Sequence, residues 1–402
     1  MGVYDELGLR TVINASGTLT RLGGSRMAPQ VLAAMADAAA SFVPIDALQA
    51  RAGEVIADIT GAEAGYVVSG AAAGLSLGVA ACVAGMDVAA MDRLPDTSGL
   101  KDEVVVQRGH RNAYDHAIRA VGVRMVEVGY LGYPGAGGTS PWQVAAAITE
   151  RTAAVACPIL DTPGTIPLPQ VCQIAHERGV PVIVDAAAEL PPRANLRRFI
   201  AEGADLVVFS GGKAIGGPQA SGILAGRADL IASVALQHQD MDVRPETWSW
   251  RPLLDSGHLA GVPHQGFGRS MKVGREEIVG LITALRRYAS GSDEEDLQRW
   301  QRHLDSIEQA LEGIPGIRVS RQLSHRKPVP SLRIDLEGDC APTRAYDIVN
   351  RLLDGEPAIA IDQSYAELGR LSINPQGLTA EEATVVARRL REELHEGDRV
   401  IG

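Results

Sequence analysis

Lysine is nearly absent from this chain of 402 residues, in which only Lys101, Lys213, Lys272 and Lys327 stand among 38 basic side chains. Acidic side chains outnumber basic ones by 49 to 38, so the formal net charge is −11. A protein that binds nucleic acid through the backbone needs a surplus of cations to neutralise the phosphates. We therefore expect no nucleic-acid partner.

Cysteine is scarce as well, and Cys82, Cys157, Cys172 and Cys340 form no C-x-x-C pair. Their apolar or helical surroundings favour buried free thiols over disulfides or metal ligands. The chain also lacks a basic N-terminal segment followed by an apolar one, and lacks any run of roughly 18 apolar residues. We expect a cytoplasmic protein with no membrane partner and no metal site.

Short apolar runs alternate with helix-patterned stretches through the first half of the chain. Runs such as Val180–Val184 (VPVIV) have no polar face, which is typical of parallel strands covered by helices on both sides. Seven runs share this character, at residues 65–69, 103–107, 124–128, 153–157, 180–184, 205–210 and 222–225. They predict an α/β fold with a mostly parallel seven-stranded sheet.

Beyond Gly291 the pattern changes to that of a smaller α+β domain. An amphipathic helix with acidic residues in its first turn follows this glycine, and shorter strand and helix patterns come after it. The sequence predicts an N-terminal segment (1–25), a large domain (26–271), a linking helix (272–290) and a small C-terminal domain (291–402).

Ligands of parallel sheets bind at the carboxyl ends of the strands, so the residues that follow the runs are candidate site residues. Ser69, Gly70 and Ala71 follow one run and open a helix. Small residues there expose free backbone N–H groups, and the helix dipole favours an anion. A purely structural turn is the alternative interpretation.

Asp185 ends the run VPVIV, and Lys213 follows another run 28 residues further on. The aspartate is either an N-cap for the segment that follows or an anionic partner for a protonated ring nitrogen. Lys213 lies among glycines in a chain that otherwise uses arginine, which indicates a primary amine that forms a Schiff base. A phosphate-binding P-loop is excluded, because Val207 and Ala214 occupy positions where that motif needs Gly and Ser or Thr.

Together these strand-end residues predict a site for pyridoxal 5′-phosphate (PLP). The turn at Ser69–Ala71 would hold the phosphate, and Ser210 would donate its hydroxyl to the same group. Asp185 would keep the pyridine nitrogen protonated, and Lys213 would bind the aldehyde carbon.

The chain resembles fold-type I PLP enzymes of the selenocysteine synthase-like group, and within it the D-glucosaminate-6-phosphate ammonia-lyase branch. The resemblance extends from near the N-terminus to the linking helix. Its segments are VINASGTLTRLGG (12–24), DALQARAGEVIADITGAEAGYVVSGAAAGL (46–75), VVQRGHRNAYDHAIR (105–119), VPVIVDAAAELPP (180–192), LVVFSGGKAIGGPQASGILAG (206–226) and GRSMKVGREEIVGL (268–281).

The resemblance implies further roles. His110 would stack on the cofactor ring, and Arg370 would clamp the substrate's α-carboxylate. A structural histidine and a surface arginine are the alternatives. Asn14 and Thr18 would lie in a segment that covers the mouth of the active site, and a homodimer or larger homo-oligomer would place that site between subunits.

The activity implied by the resemblance is α,β-elimination from a hydroxylated or sugar-derived amino acid, which releases ammonia and a 2-oxo acid. Lys213, freed by the substrate amine, would act as the general base at Cα. Racemisation, aldol cleavage and β-replacement remain open because the same fold supports them. A catalytically silent scaffold is the non-enzyme alternative. For a distal substrate phosphate, Arg21, Arg26, Arg108 and Arg111 are the candidate ligands.

Overall fold

The structure is a computed structural model that describes residues 2–131, 138–160, 162–323 and 327–396. The chain divides into two compact units. The larger comprises Met27–Ser290, and the smaller joins the residues up to Arg26 to those from Gly291 onward. The N-terminal segment thus packs with the C-terminal residues, and the stretch interpreted as a linking helix lies within the larger unit.

Twelve strands run through the described residues. They are β1 (Val12–Ala15), β2 (Ala64–Val68), β3 (Glu103–Gln107), β4 (Arg124–Val128), β5 (Thr152–Pro158), β6 (Val182–Asp185), β7 (Leu206–Ser210), β8 (Gly222–Gly226), β9 (Ile317–Gln322), β10 (Ser331–Leu336), β11 (Ala358–Tyr365) and β12 (Arg370–Ile373).

Fifteen α-helices are found in the same ranges. They are α1 (Val3–Glu6), α2 (Pro29–Ala39), α3 (Ile45–Thr60), α4 (Ala71–Ala84), α5 (Val88–Arg93), α6 (Asp115–Arg119), α7 (Pro141–Ala147), α8 (Leu168–His176), α9 (Asn195–Ala201), α10 (Ala228–His238), α11 (Arg251–Asp255), α12 (Arg275–Ala289), α13 (Asp293–Leu311), α14 (Ala341–Asp354) and α15 (Ala380–Glu396).

The larger unit contains a seven-stranded sheet in the order β2-β8-β7-β6-β5-β3-β4. β8 runs antiparallel to both of its neighbours, and every other pair in this sheet is parallel. The predicted α/β fold with a mostly parallel seven-stranded sheet is confirmed. All seven apolar runs correspond to strands β2–β8.

Both faces of this sheet are buried, as the unbroken apolar runs predict. Along β6, Val182 and Val184 belong to one apolar cluster, whereas Ile183 belongs to the cluster on the opposite face. Because side chains alternate along a strand, two such clusters require helices on both sides of the sheet.

The smaller unit contains a five-stranded sheet in the order β1-β11-β12-β10-β9. β10 alternates between faces: Leu332, Ile334 and Leu336 are buried, whereas Arg333 and Asp335 are only partly buried. The buried side chains belong to one apolar cluster with residues of α13, α14 and α15. Sequence reasoning missed two strands of this sheet: β1, which pairs in parallel with β11, and β9, which pairs antiparallel with β10.

The four cysteines are free thiols, and Cys157 and Cys172 are buried as expected. The expectation is wrong for Cys340, which is exposed because it lies at the beginning of α14 and outside its packed face. Within the described ranges, no helix combines the length and apolar character needed to cross a bilayer.

Helix α3 contacts β2 where two glycines meet, and this contact generates a stability prediction. A Cβ atom on Gly53 would overlap the carbonyl oxygen of Gly65, which is backbone and does not rotate away. We expect Gly53→Ala to lower the free energy of unfolding by about 1–3 kcal/mol. The intrinsic helix preference of alanine, about 1 kcal/mol, acts in the opposite direction.

Urea unfolding of the purified protein measures this effect. Gly261→Ala is the matched control, since a Cβ atom there would meet nothing within 4 Å. The control should change the free energy of unfolding by no more than about 0.5 kcal/mol. If Gly53→Ala were as stable as the wild type, the close approach of Gly53 to the carbonyl oxygen of Gly65 would be contradicted.

Candidate active site

Three strands of the larger sheet end at one edge, and β8 begins there. Gly222, the first residue of β8, pairs with Val68 near the end of β2 and with Ser210 at the end of β7. On the other side of β7, Asp185 at the end of β6 pairs with Val208. The predicted site residues Ser69, Ser210 and Asp185 therefore lie along the same edge.

The turn between β2 and α4 has the features of an anion cradle. Gly70 adopts φ 141° and ψ 164°, a backbone conformation in the glycine-favoured region. No side chain caps α4, a helix of 14 residues whose first residue is Ala71. The N–H groups of its first turn are therefore available to a ligand.

Gly222 lies against the turn at Gly70 and Ala71, where a larger residue would not fit. A Cβ atom on Gly222 would lie 2.8 Å from the carbonyl carbon of Gly70 and 3.0 Å from the nitrogen of Ala71. Only glycine allows β8 to approach the turn this closely without displacing it. Ser210 pairs directly with Gly222, which puts its hydroxyl beside the same space.

Asp185 is a partly buried carboxylate, and its Oδ1 accepts a hydrogen bond of 3.0 Å from the N–H of Ala187. This hydrogen bond caps the segment that follows β6, as the N-cap interpretation expects, although the next helix, α9, begins only at Asn195. Burial raises the pKa of Asp185, while the Ala187 N–H and the positive charge of Lys213 act in the opposite direction. A carboxylate in such a place is stabilised by a cationic partner.

Lys213 lies in the turn that follows β7, and it is partly buried. The two preceding glycines are required by packing: a Cβ atom on Gly211 would overlap the Ser221 hydroxyl, and one on Gly212 would lie 2.7 Å from Cα of Gln219. The N–H of Gly211 donates to the carbonyl of Ser221 at 2.9 Å. The segment that leads into β8 thus holds the lysine turn against the sheet edge.

His110 is buried just beyond the end of β3, at 4% exposure. The backbone around it is held by side chains that the sequence analysis did not identify. Asn112 Nδ2 donates to the carbonyl of His110 at 3.1 Å, and Thr162 Oγ1 donates to that of Gly109 at 2.9 Å. Their polar side chains in a loop gave no periodic signal from which this role could be read.

Three of the four arginines considered for a distal phosphate already have acidic partners. Arg108 pairs with Glu127 at 3.1 Å, Arg111 pairs with Asp115 and Glu127, and Arg26 pairs with Glu382 at 2.8 Å. These ion pairs occupy part of each guanidinium group, and the phosphate-binding roles of Arg21, Arg26, Arg108 and Arg111 stay predictions.

Asn14, Thr18 and Arg370 lie in the smaller unit. The side chain of Asn14 shapes its own turn: Oδ1 accepts from the N–H of Ser16 at 2.9 Å, and Nδ2 donates to the carbonyl of Gly17 at 2.7 Å. Thr18 follows in a bend and is partly buried. The proposed substrate contacts of Asn14 and Thr18 stay predictions.

Arg370 begins β12 and donates through Nε to Oδ1 of Asp335 at 2.9 Å. Its guanidinium carbon lies 5.6 Å from the centre of the Tyr365 ring. Burial acts to raise the pKa of Asp335, but hydrogen bonds from Arg333 and Arg370 outweigh it and hold this pKa below its ordinary value. Sequence reasoning identified Arg370 but missed both Asp335 and Arg333.

Comparison with known proteins gives a family match over more than half of the chain. The model of SelA, L-seryl-tRNA selenium transferase, matches residues 12–243. That range includes every predicted site residue of the larger unit, as well as Asn14 and Thr18.

Two relatives are similar over nearly the whole length. A D-glucosaminate-6-phosphate ammonia lyase of Salmonella typhimurium is 34% identical over 398 residues, which cover 97% of each chain. A 5′-C-glycyluridine monooxygenase-decarboxylase of a Streptomyces species is 34% identical over 401 residues, covering 97% of this chain and 92% of the relative.

Solved structures agree with the fold. A D-glucosaminate-6-phosphate ammonia-lyase matches with a TM-score of 0.81 and 33% identity, and the match covers 99% of both chains. A serine palmitoyltransferase solved with PLP matches with a TM-score of 0.55 and 14% identity over 95% of this chain and 87% of the other, which shows the fold alone.

The cradle generates a binding prediction. We expect Gly222→Ala to weaken the binding of PLP about tenfold or more, because the new methyl group displaces the Gly70–Ala71 turn from the phosphate. Titration of the apoprotein with PLP, followed by absorbance, measures the dissociation constant. Gly261→Ala should bind PLP like the wild type, whereas unchanged affinity in Gly222→Ala would exclude this cradle as the phosphate site.

Proposed function

This chain belongs to the L-seryl-tRNA selenium transferase family, and we propose that it is a PLP-dependent ammonia lyase acting on a hydroxylated amino acid such as D-glucosaminate 6-phosphate. One observation carries the proposal: the likeness to an enzyme of that activity extends over 97% of both chains at 34% identity. PLP is the cofactor of this chain. The selenium transferase activity itself is disfavoured by the net charge of −11, since its substrate is a tRNA.

The residues at the sheet edge fit the cofactor. The glycine-lined cradle and uncapped N-terminus of α4 suit a phosphate, and the hydroxyl of Ser210 adds a donor. Burial raises the pKa of Asp185, which means that its charged form is destabilised. A positively charged ring nitrogen beside it would stabilise that charged form. These observations support Ser69, Gly70, Ala71, Ser210 and Asp185 as cofactor ligands.

When bound, PLP supplies an aldehyde that captures the substrate amine and a ring that accepts the electron pair left at Cα. Lys213 would hold the cofactor through its side-chain amine, which the substrate amine would set free. The freed amine of Lys213 then removes the proton from Cα. The resulting ammonium group of Lys213 donates that proton to the hydroxyl leaving Cβ, so that water departs.

The product of this elimination is an enamine. Once it has left the enzyme, it tautomerises to an imine, which water hydrolyses to ammonia and a 2-oxo acid. Asp185 stabilises the positive charge on the ring nitrogen throughout. His110 would pack against the ring, and Arg370 would bind the α-carboxylate of the substrate. The role of Asp185 rests on its position at the end of β6, and the roles of His110 and Arg370 rest on the resemblance to the family.

We propose that the enzyme works as a homodimer. Phe42 of the larger unit is 97% exposed, and Leu32 and Val43 are 50% and 42% exposed. Such apolar side chains favour burial against another surface, and fold-type I enzymes use a second copy. Four free thiols favour a reducing compartment, from which we propose the cytoplasm.

A second candidate function follows from the Streptomyces relative, which is equally similar at 34% identity. In this alternative the chain would carry out oxygen-dependent decarboxylation of an amino acid attached to a nucleoside. The two activities differ in their need for O₂, because elimination of water consumes none.

The test incubates the PLP-loaded protein with D-glucosaminate 6-phosphate without oxygen and measures ammonia and 2-oxo acid. We expect equal amounts of both products. Lys213→Ala should lower the rate by about 10²- to 10⁴-fold, whereas Lys101→Ala, at an exposed position, should not. Absence of turnover on this and other hydroxyamino acids, with O₂-dependent release of CO₂ from a glycyl nucleoside, would favour the second candidate.

Asp185→Asn provides a further test. The amide keeps an oxygen for the Ala187 N–H but loses the negative charge, so we expect kcat to fall about 100-fold or more with little change in Tm. Borohydride reduction should still fix the cofactor to Lys213 in this variant. A kcat within threefold of the wild type would contradict the role of Asp185.

A further inference from the structure

The loop that follows β5 is tied to the end of β3, close to His110 and within the larger unit. Gln107, the last residue of β3, is 2% exposed, and its side chain binds both backbone groups of Ile166. Its Nε2 donates to the carbonyl of Ile166 at 3.0 Å, and its Oε1 accepts from the N–H of Ile166 at 2.7 Å. This side chain fixes the C-terminal end of residues 162–166, which we name the brace segment.

The N-terminal end of the brace segment contacts the residue before His110. Thr162 Oγ1 donates to the carbonyl of Gly109 at 2.9 Å, and Thr165 Oγ1 donates to the carbonyl of Thr162 at 2.8 Å. A Cβ atom on Gly109 would lie 2.8 Å from the methyl carbon of Thr162 and 2.9 Å from that of Thr165. Because glycine has no side chain, the two loops can approach this closely. The backbone just before His110 therefore packs on two threonine side chains.

The backbone of His110 is also held from its other side. Asn112 Nδ2 donates to the carbonyl of His110 at 3.1 Å, while Asn112 Oδ1 accepts from the N–H of Tyr114 at 2.8 Å. The carbonyls of Gly109 and His110 thus both accept from side chains, and the imidazole between them is only 4% exposed. The position of the imidazole therefore depends on these backbone contacts.

The strand that leads into the brace segment lies beside Asp185. Pro158, at the end of β5, pairs with Asp185, and the N–H of Ile159 donates to the carbonyl of Asp185 at 3.0 Å. In the sheet, β5 lies between β3 and β6. The chain from β5 to the brace segment therefore contacts the backbone at both residues that we assign to the cofactor ring, His110 at its face and Asp185 at its nitrogen.

We propose that Thr162 is a positioning residue: through the carbonyl of Gly109, it sets where the imidazole of His110 lies on the cofactor ring. This proposal rests on the proposed function, in which His110 packs against PLP. Aromatic rings pack within a narrow range of separations, about 4.5–7 Å between their centres. A shift of the backbone that carries the imidazole would therefore change the contact, although Thr162 itself need not touch the cofactor.

The test uses Thr162→Val, which removes the hydroxyl group and keeps the methyl group that packs on Gly109. Bound PLP is followed by circular dichroism in its absorbance band, which reports how the ring is held, and the apoprotein is titrated with PLP. We expect the dichroism to change and the dissociation constant for PLP to rise about three- to tenfold. Thr162→Ser keeps the hydroxyl group and should preserve the dichroism of the wild type.

Thr97→Val is the matched control. Thr97 Oγ1 donates to the carbonyl of Gly122 at 3.0 Å, and a Cβ atom on Gly122 would lie 3.2 Å from the methyl carbon of Thr97. The contact is of the same kind, but the two residues precede β3 and β4 and so lie at the amino ends of the parallel strands. This variant should bind PLP with the affinity and dichroism of the wild type.

A double-mutant cycle separates action through His110 from any other route. If Thr162 acts through the imidazole, Thr162→Val should change neither the dichroism nor the PLP affinity in a His110→Ala background. His110→Ala alone, measured in the same way, tests the packing role on which the proposal rests. Unchanged dichroism and affinity in that variant would overturn the role of His110, and the positioning role of Thr162 with it.

Two results with Thr162→Val would overturn the positioning role while leaving that of His110 intact. A lower Tm with unchanged dichroism and PLP affinity would assign Thr162 a structural role alone. An equal effect with and without the His110 side chain would show that Thr162 acts by another route. These measurements need no substrate, so failure of the proposed lyase activity is a separate result.

Discussion

The close approach of β8 to the turn between β2 and α4 is the constraint on which the site depends. Gly222 lies against Gly70 and Ala71 with no room for a side chain, while it pairs with Ser210 on its other side. This single reversed strand therefore joins the anion cradle to the end of β7. The same segment packs against Gly211 and Gly212, which fixes the turn that carries Lys213.

Near the carboxyl ends of these strands, Asp185 differs from the other carboxylates in its charged partners. Most acidic side chains near the candidate site, such as Glu127 and Asp115, are matched to arginines. No arginine in the described part of the chain pairs with Asp185, and burial raises the pKa of this carboxyl despite the charge of Lys213. In the smaller unit the imbalance is reversed, because Asp335 serves two arginines. A cofactor cation would satisfy the first of these imbalances.

Much of the fold was predictable because parallel strands buried on both faces leave an unbroken apolar signature. All seven strands of the larger sheet were recognised in this way, and their ends located Ser69, Asp185, Ser210 and Lys213. β1 was missed because four residues pairing with a strand more than 340 positions away leave no local pattern. Asn112 and Thr162 were missed because loop side chains that hold a backbone carbonyl have no characteristic spacing.

The sequence by itself determined the order of strands and helices and the residues that follow each strand. Its low lysine content also made Lys213 conspicuous. These are local properties, decided by side-chain periodicity and backbone preference. Only the tertiary structure decided that Gly222 faces Gly70, that Arg108 and Arg111 pair with carboxylates, and that Arg333 shares a carboxylate with Arg370. Each of these depends on which strands become neighbours, and non-local pairing is set by the packing of the whole core.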